Sequence, residues 1–381
     1  MRLVSLHSRS LALLTLAAAV LLLVHPATAF ADDGEGSTVY VMGNQADGNT
    51  VIVFHRARNS DLVRVQEVST HGLGSGGTND PLGSQGALTL ADGGRLLFAV
   101  NAGSNELSVL EVTRYGVRFV DKISSGGMHP VSVTVHGRVA YVLNAAGTPN
   151  ISGFFISHSG RLQAIPGSTR ALPGGANAGP AEVRFSPDGG LLVVTEKNTN
   201  QIDLFAVDDY GRIFRQTSQP SNNATPFGFS FGRNREMVLS EAAGGAPDGA
   251  TVSSYRVVDE DADADDLRTV SKSVPDTQTA ACWVEIAGNG HIAFVSNTGS
   301  GTVSSFFVDR RGALKLITGS AADLGAGSGV IDMALSRGSR FLYVLSSSLG
   351  TVTGFRVEGG HLIKVTAGAG LPASIQGLAA E

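Results

Sequence analysis

The chain has 381 residues, a formal net charge of -5, 49 glycines and a single cysteine, Cys282. One cysteine excludes an intramolecular disulfide, so the fold must rest on its own core, which a chain of this length can supply. The mildly acidic balance argues against nucleic acid and anionic lipid as partners, because both are recognised through basic patches.

The first residues read as a secretory signal peptide covering 1–31. Arg2 and Arg9 give a basic start, residues 11–24 are apolar apart from Thr15, and two small-residue cleavage patterns follow, Ala27-Thr28-Ala29 and Ala29-Phe30-Ala31. The apolar run is short of the ~20 residues that span a bilayer, so cleavage is expected rather than a retained anchor. Residues 1–31 hold two arginines and no acid, so removing them takes the charge to about -7. The expected location is secreted or periplasmic, with no membrane span in the mature chain.

From residue 38 onward the chain repeats with a period of roughly 50 residues. Seven apolar strands, here called B, end at an equivalent sixth position: 39–44, 96–101, 139–144, 191–196, 236–241, 292–297 and 341–346. Each is followed by a turn and a strand C, at 51–55, 107–112, 151–156, 202–207, 252–257, 303–308 and 352–357. Apolar residues alternate along strand C, as Ile202, Leu204 and Ala206 do against Asp203, which fits strands with unlike faces. Polar hairpins with glycine, such as Tyr210-Gly211 and Arg311-Gly312, lead to strands D, including 62–68, 162–165 and 314–317. Strands A then enter the next copy at 85–90, 131–135, 181–186, 227–231, 283–287 and 331–336.

The ends fix the topology. The chain opens on a strand B with no strand A before it and closes on 374–379, which matches the strands A and has no B after it. The last segment therefore completes the first copy. An all-β, seven-bladed β-propeller over 38–381, closed by a C-terminal strand joining the N-terminal blade, is expected. An open solenoid would lack that exchange between termini.

The run Phe185-Ser186-Pro187-Asp188-Gly189 with Leu191, Val193 and Val194, then Ile202-Asp203-Leu204-Phe205, resembles the lactonase family of seven-bladed propellers. That family includes 6-phosphogluconolactonase and the carboxymuconate-lactonising enzyme. The resemblance implies polar residues near a central channel. Its Glu at the end of strand B of the fifth blade corresponds to Glu241, in Ser240-Glu241-Ala242. Its His-x-His falls on Gly179-Pro180-Ala181, and its two arginines fall on Phe227 and Thr298.

The seven copies also show which positions break their own rule. The sixth residue of strand B is Asn44, Asn101, Asn144, Glu196, Glu241, Asn297 and Ser346. Asn suits a turn, since its side chain bonds nearby backbone. Glu does not, so Glu196 and Glu241 are candidate catalytic residues, an acid and a base if the two carboxylates approach each other. A solvated or ion-paired structural role is the alternative.

Candidate substrate contacts are Lys197, beside Glu196, and His129, at the start of strand A of the third blade. Glu182 and Asp332 enter strands A of the fourth and seventh blades, and Trp283 is positioned to floor a pocket or pack in the core. Cys282 is expected to be buried and inert. The acidic run 259–266 lacks the glycine of a calcium loop and reads as a solvated hairpin. No metal or cofactor is expected. The protein is expected to be monomeric and exported, and the resemblance implies a metal-independent hydrolase or cyclase acting on a small sugar or carboxylate lactone. A non-catalytic scaffold binding a ligand or protein partner is the alternative.

Mass analysis of the secreted protein is expected to find the mature N-terminus directly after Ala29 or Ala31; an intact Met1 would contradict the export signal.

Overall fold

The computed structural model describes residues 37–56, 61–261 and 264–381; the signal peptide read in 1–31 lies outside the described residues. Seven antiparallel sheets are arranged as blades around a channel, each with strand A innermost and strand D outermost. Strand B lies between two partners in its own sheet and between two neighbouring blades, so it has no solvent-exposed face. Leu191–Glu196 and Ile292–Asn297 are accordingly buried at every residue. The outer strand Ile213–Pro220 instead alternates partly buried and exposed positions after the buried Ile213, as expected for a sheet edge with one wet face.

The ring closes as the ends of the sequence imply. The last strand, Leu378–Ala380, pairs with the first, Ser37–Met42, in the register Val39 to Ala380, Tyr40 to Ala379 and Val41 to Leu378. Met42 N donates to Gly377 O at 3.0 Å and Gln376 N to Met42 O at 3.1 Å, which extends the pairing past the strand.

Three strands differ from the repeat pattern. Strand B of blade one stops at Met42, and Asn44 lies beyond it with φ +52°. Strand D of blade three is split into Leu162–Ala164 and Arg170–Ala171. Strand A of blade two is only Leu88–Ala91 rather than starting at residue 85, because Gln85 turns away into the channel, where its N–H bonds Ala181 O at 3.0 Å. In blade five the described residues of the acidic run, 259–261 and 264–266, lie on the paired strands Thr251–Asp261 and Ala264–Pro275.

Two faces result. One carries the B–C turns and the D–A loops, and the other carries the A–B turns and C–D hairpins.

Leu378 is buried and Ile375 fully so. Deleting residues 378–381 is expected to cost at least about 2–5 kcal/mol, the range for emptying a buried aliphatic site. Urea unfolding measures it, and an unchanged midpoint would exclude the closure as a stabilising contact.

Candidate functional site

Each strand A presents one backbone edge to the channel, and buried N–H groups there need acceptors. Polar side chains of the preceding blade supply them. Ser132 Oγ accepts Val183 N at 3.2 Å, Thr134 Oγ1 accepts Phe185 N at 3.1 Å, and Glu182 Oε2 accepts Phe229 N at 2.6 Å. Asp332 Oδ2 accepts Leu378 N at 3.0 Å, across the ring closure. Blade five has no side chain to offer at this place, because Gly228 stands there.

Gln85 serves blade six instead, from the opposite side of the channel. Its amide accepts Val284 N at 3.0 Å and donates to Val284 O at 2.9 Å. Gly228 makes this possible, since a Cβ there would lie 2.0 Å from Gln85 Oε1. The adjoining Ser84 O accepts Trp283 Nε1 and Gln376 Nε2, both at 3.0 Å, and Ser84 Oγ donates to Val131 O at 2.8 Å. The Ser84-Gln85 segment therefore spans the channel and contacts blades one, three, four and six.

A cavity of about 380 Å³ lies in the channel, with Gln85 and Gly86 at one end and Ser186 and Pro187 of the blade-four A–B turn at the other. Glu182, Arg184, Glu285 and Asp332 line it. Glu182 is almost fully buried and holds Arg184 through Nε at 2.6 Å; the same guanidinium reaches Ser230 Oγ at 3.4 Å. Burial pushes Glu182 up to about 7 against the pull of Arg184, and pushes Glu285 up to about 7 in the same way. Asp332 is held well above the usual carboxylate range by burial and by the charge of Glu285. It also sits in a bulge with φ +44°, a conformation that costs a non-glycine residue on the order of 1 kcal/mol or more. Three carboxyl groups thus face one guanidinium, with two of them titrating near neutrality.

The residues singled out from the sequence fall into three places. Glu182 and Asp332 reach the cavity. Lys197, Trp283 and His129 lie toward the opposite face. Lys197 Nζ donates to Gly83 O and sits 4.9 Å from the centre of the Phe227 ring, and burial lowers its pKa although Asp80 opposes this. Trp283 is fully buried against Phe227, with ring centres 5.0 Å apart. His129 takes φ +57° ahead of Pro130, its N–H is held by Asn105 Oδ1 at 2.7 Å, and burial lowers its pKa.

Glu196 and Glu241 are each fully buried within their own blades. Glu196 Oε1 accepts Gly174 N at 3.0 Å and Oε2 accepts the Thr199 hydroxyl. Glu241 Oε1 accepts Asn223 N at 2.9 Å, while Oε2 accepts Thr251 Oγ1 at 2.7 Å and Ser253 Oγ at 3.0 Å. Each carboxylate ties down the D–A loop entering its blade, much as Asn144 Nδ2 does by donating to Ser125 O at 3.1 Å.

Arg184, Glu285 and Gln85 were not singled out by the repeat. Alternation along strand A carries a signal for the first two, because 182 and 184, like 283 and 285, are two residues apart on an inner strand. Gln85 has no such signal, since its partner is 199 residues away.

A carboxyl raised in the folded state contributes stability that is fully present below its unfolded pKa and lost as pH rises through the folded value. Glu182 and Glu285 put that window between about 4.5 and about 7. The protein is expected to melt higher at about pH 5 than at about pH 8, and Glu285→Gln to reduce the difference by on the order of 1 kcal/mol. Calorimetry of both proteins at the two pH values tests this, and an identical dependence would contradict it.

No family model matches the chain, and no curated protein matches it. Solved structures do. A candidate 6-phosphogluconolactonase from Bacteroides fragilis aligns with TM-score 0.67 at 16% identity, over 90% of this chain and 98% of that one. The periplasmic gluconolactonase of Pseudomonas aeruginosa aligns with TM-score 0.66 at 16% identity, over 89% and 98%. A hypothetical selenium-binding protein from Sulfolobus tokodaii gives 0.62 at 11%, over 90% and 92%. At these identities the likeness is one of fold, and the chain has the seven-bladed propeller architecture that the lactonase-like structures share.

Proposed function

We propose that the chain is an exported, lactonase-like hydrolase that opens a small lactone in the central channel. The observation that carries this is the cavity lined by Glu182, Glu285, Asp332 and Arg184. Its volume of about 380 Å³ suits one small molecule. Glu285, at about 7, is the general base. It takes a proton from water while the water oxygen attacks the lactone carbonyl carbon. Arg184, oriented by Glu182, steadies the oxyanion that forms. The ring C–O bond then breaks, and the ring oxygen receives the proton held by Glu285, giving the open hydroxy acid. Lys197, His129 and Trp283 support the D–A face, and Glu196 and Glu241 hold the loops that enter blades four and five.

The second reading, a propeller that binds a ligand or partner without turnover, is favoured by Gly179, Ala181, Phe227 and Thr298. These stand where the resembling family carries its His and Arg residues.

Purified mature protein is to be offered sugar and muconate-type lactones with acid release followed at constant pH. At least one is expected to be hydrolysed, with a rate rising through about pH 7. Glu285→Gln is expected to lower kcat by roughly 10²-fold or more. Hydrolysis of none of them, or full activity in Glu285→Gln, would leave only the binding reading. Glu241→Ala distinguishes loop support from catalysis: it is expected to lose about 1–3 kcal/mol of stability, because Asn223 N–H, Thr251 and Ser253 lose their acceptor. Undiminished stability with abolished turnover would instead return Glu241 to the chemistry.

A further inference from the structure

Six blades repeat one diagonal placement, and in three of them it is a hydrogen bond. The strand C residue opposite the fourth position of strand B is Ser108, Ser152, Asp203, Ser253, Ser304 and Thr353 in blades two to seven. Fourth and sixth positions project to the same side of a strand, so this residue lies diagonally across from the sixth. Asn101 Nδ2 donates to Ser108 Oγ at 2.8 Å, Asn297 Nδ2 to Ser304 Oγ at 2.6 Å, and Ser253 Oγ to Glu241 Oε2 at 3.0 Å. Each of these pairs contains a neutral donor.

Blade four does not. It sets Glu196 against Asp203, both fully buried. Asp203 Oδ1 accepts Ser218 Oγ at 2.7 Å, while Asp203 Oδ2 is buried with no hydrogen-bond partner. Both oxygens of Glu196 already accept, from Gly174 N and Thr199 Oγ1. Two ionised carboxylates would leave acceptor against acceptor in a fully buried site, the arrangement that forces carboxyl pairs to keep a proton.

We propose that Glu196 and Asp203 share one proton, and that this proton latches the loop entering blade four. The charge pattern supports it. Glu196 is the charged group that acts on Asp203, and burial together with Glu196 pushes Asp203 up to about 8 while Ser218 opposes the shift. Among the described residues no cation pairs with either carboxylate: their partners are Ser218 from strand D, Thr199 from the turn and Gly174 from the loop. Lys197, next in the chain, turns to Gly83 O and the Phe227 ring.

The loop backbone rests directly on the pair, since a Cβ on Gly174 would lie 2.1 Å from Glu196 Oε2. From Gly174 the chain passes through the short 3₁₀ turn Gly175–Asn177 into Pro180–Phe185, the strand that carries Glu182 and Arg184. The latch is therefore linked to the channel, although it does not depend on what the channel does. Asp203 is raised in the folded state, so the stability from the proton is fully present below about pH 4 and lost as pH rises through about 8.

The test is amide exchange at Gly174 by NMR, corrected for intrinsic exchange, between about pH 6 and about pH 9. Protection in the unaltered protein is expected to fall at least roughly tenfold over that range. Asp203→Ser installs the hydroxyl of the sibling blades and is expected to hold protection within about twofold; Asp203→Asn, closer in shape, serves if the serine variant is poorly folded. A flat profile in the unaltered protein, or an equal fall in both variants, overturns the proposal. The carboxyl carbon shift of Asp203 gives a check that needs no variant: a group already ionised at about pH 6 overturns it as well.

Discussion

The constraint on which this propeller depends is the unpaired backbone edge of its innermost strands. A four-stranded blade satisfies its own ladder, but strand A has no fifth strand beside it, and its remaining N–H groups point into the confined channel. Leaving such a group unsatisfied costs about 1–3 kcal/mol, so the ring needs a supply of acceptors. Ser132, Thr134, Glu182 and Asp332 each serve the next blade, and Gln85 serves blade six from across the channel. The polar lining of the channel follows from this requirement. Glu182 and Asp332 have one oxygen committed to backbone and remain in the cavity wall with their charge raised toward neutrality, so structure and chemistry draw on the same side chains.

Much of the fold was legible in the sequence because blades are local. Strands B through D of one copy lie within about 50 residues, their apolar alternation is visible, and the strand exchanged between termini follows from counting A and B segments. The candidate site was legible only in part. Glu182 and Asp332 stood out as acids entering inner strands, while Arg184 and Glu285 were hidden two residues further along strands taken as ordinary. The contacts of Gln85 could not be read, because nothing local distinguishes a glutamine that pairs with Val284 from one exposed to water. Glu196 and Glu241 stood out for a sound reason, since they do break the Asn rule. Their added length places a carboxylate where it accepts from a loop N–H, at Gly174 and Asn223, which a search for catalytic pairs does not anticipate.

The two faces of the molecule are electrostatically unlike. On the D–A side Lys197 and Asp80 are a half-buried cation and anion, with Asp80 pushed up to about 6 by burial against the pull of Lys197. Beneath the Ser84-Gln85 segment the balance is three acids to one arginine. The segment keeps these populations apart, and backbone and amide groups carry no charge that would favour either side.

The Ser84-Gln85 segment also constrains how the molecule is assembled. Its partners include Val284 and Gln376, respectively 199 and 292 residues downstream. During synthesis blades two and three can form from neighbouring sequence, yet residues 84 and 85 then lack most of the groups that hold them. Contacts of such sequence separation form slowly, because the loop entropy is lost before they can repay it. The channel therefore acquires its end wall only after the sixth blade exists, and secures it when the last residues close the ring. Any ligand enclosed before that step would find an open tube in place of a pocket.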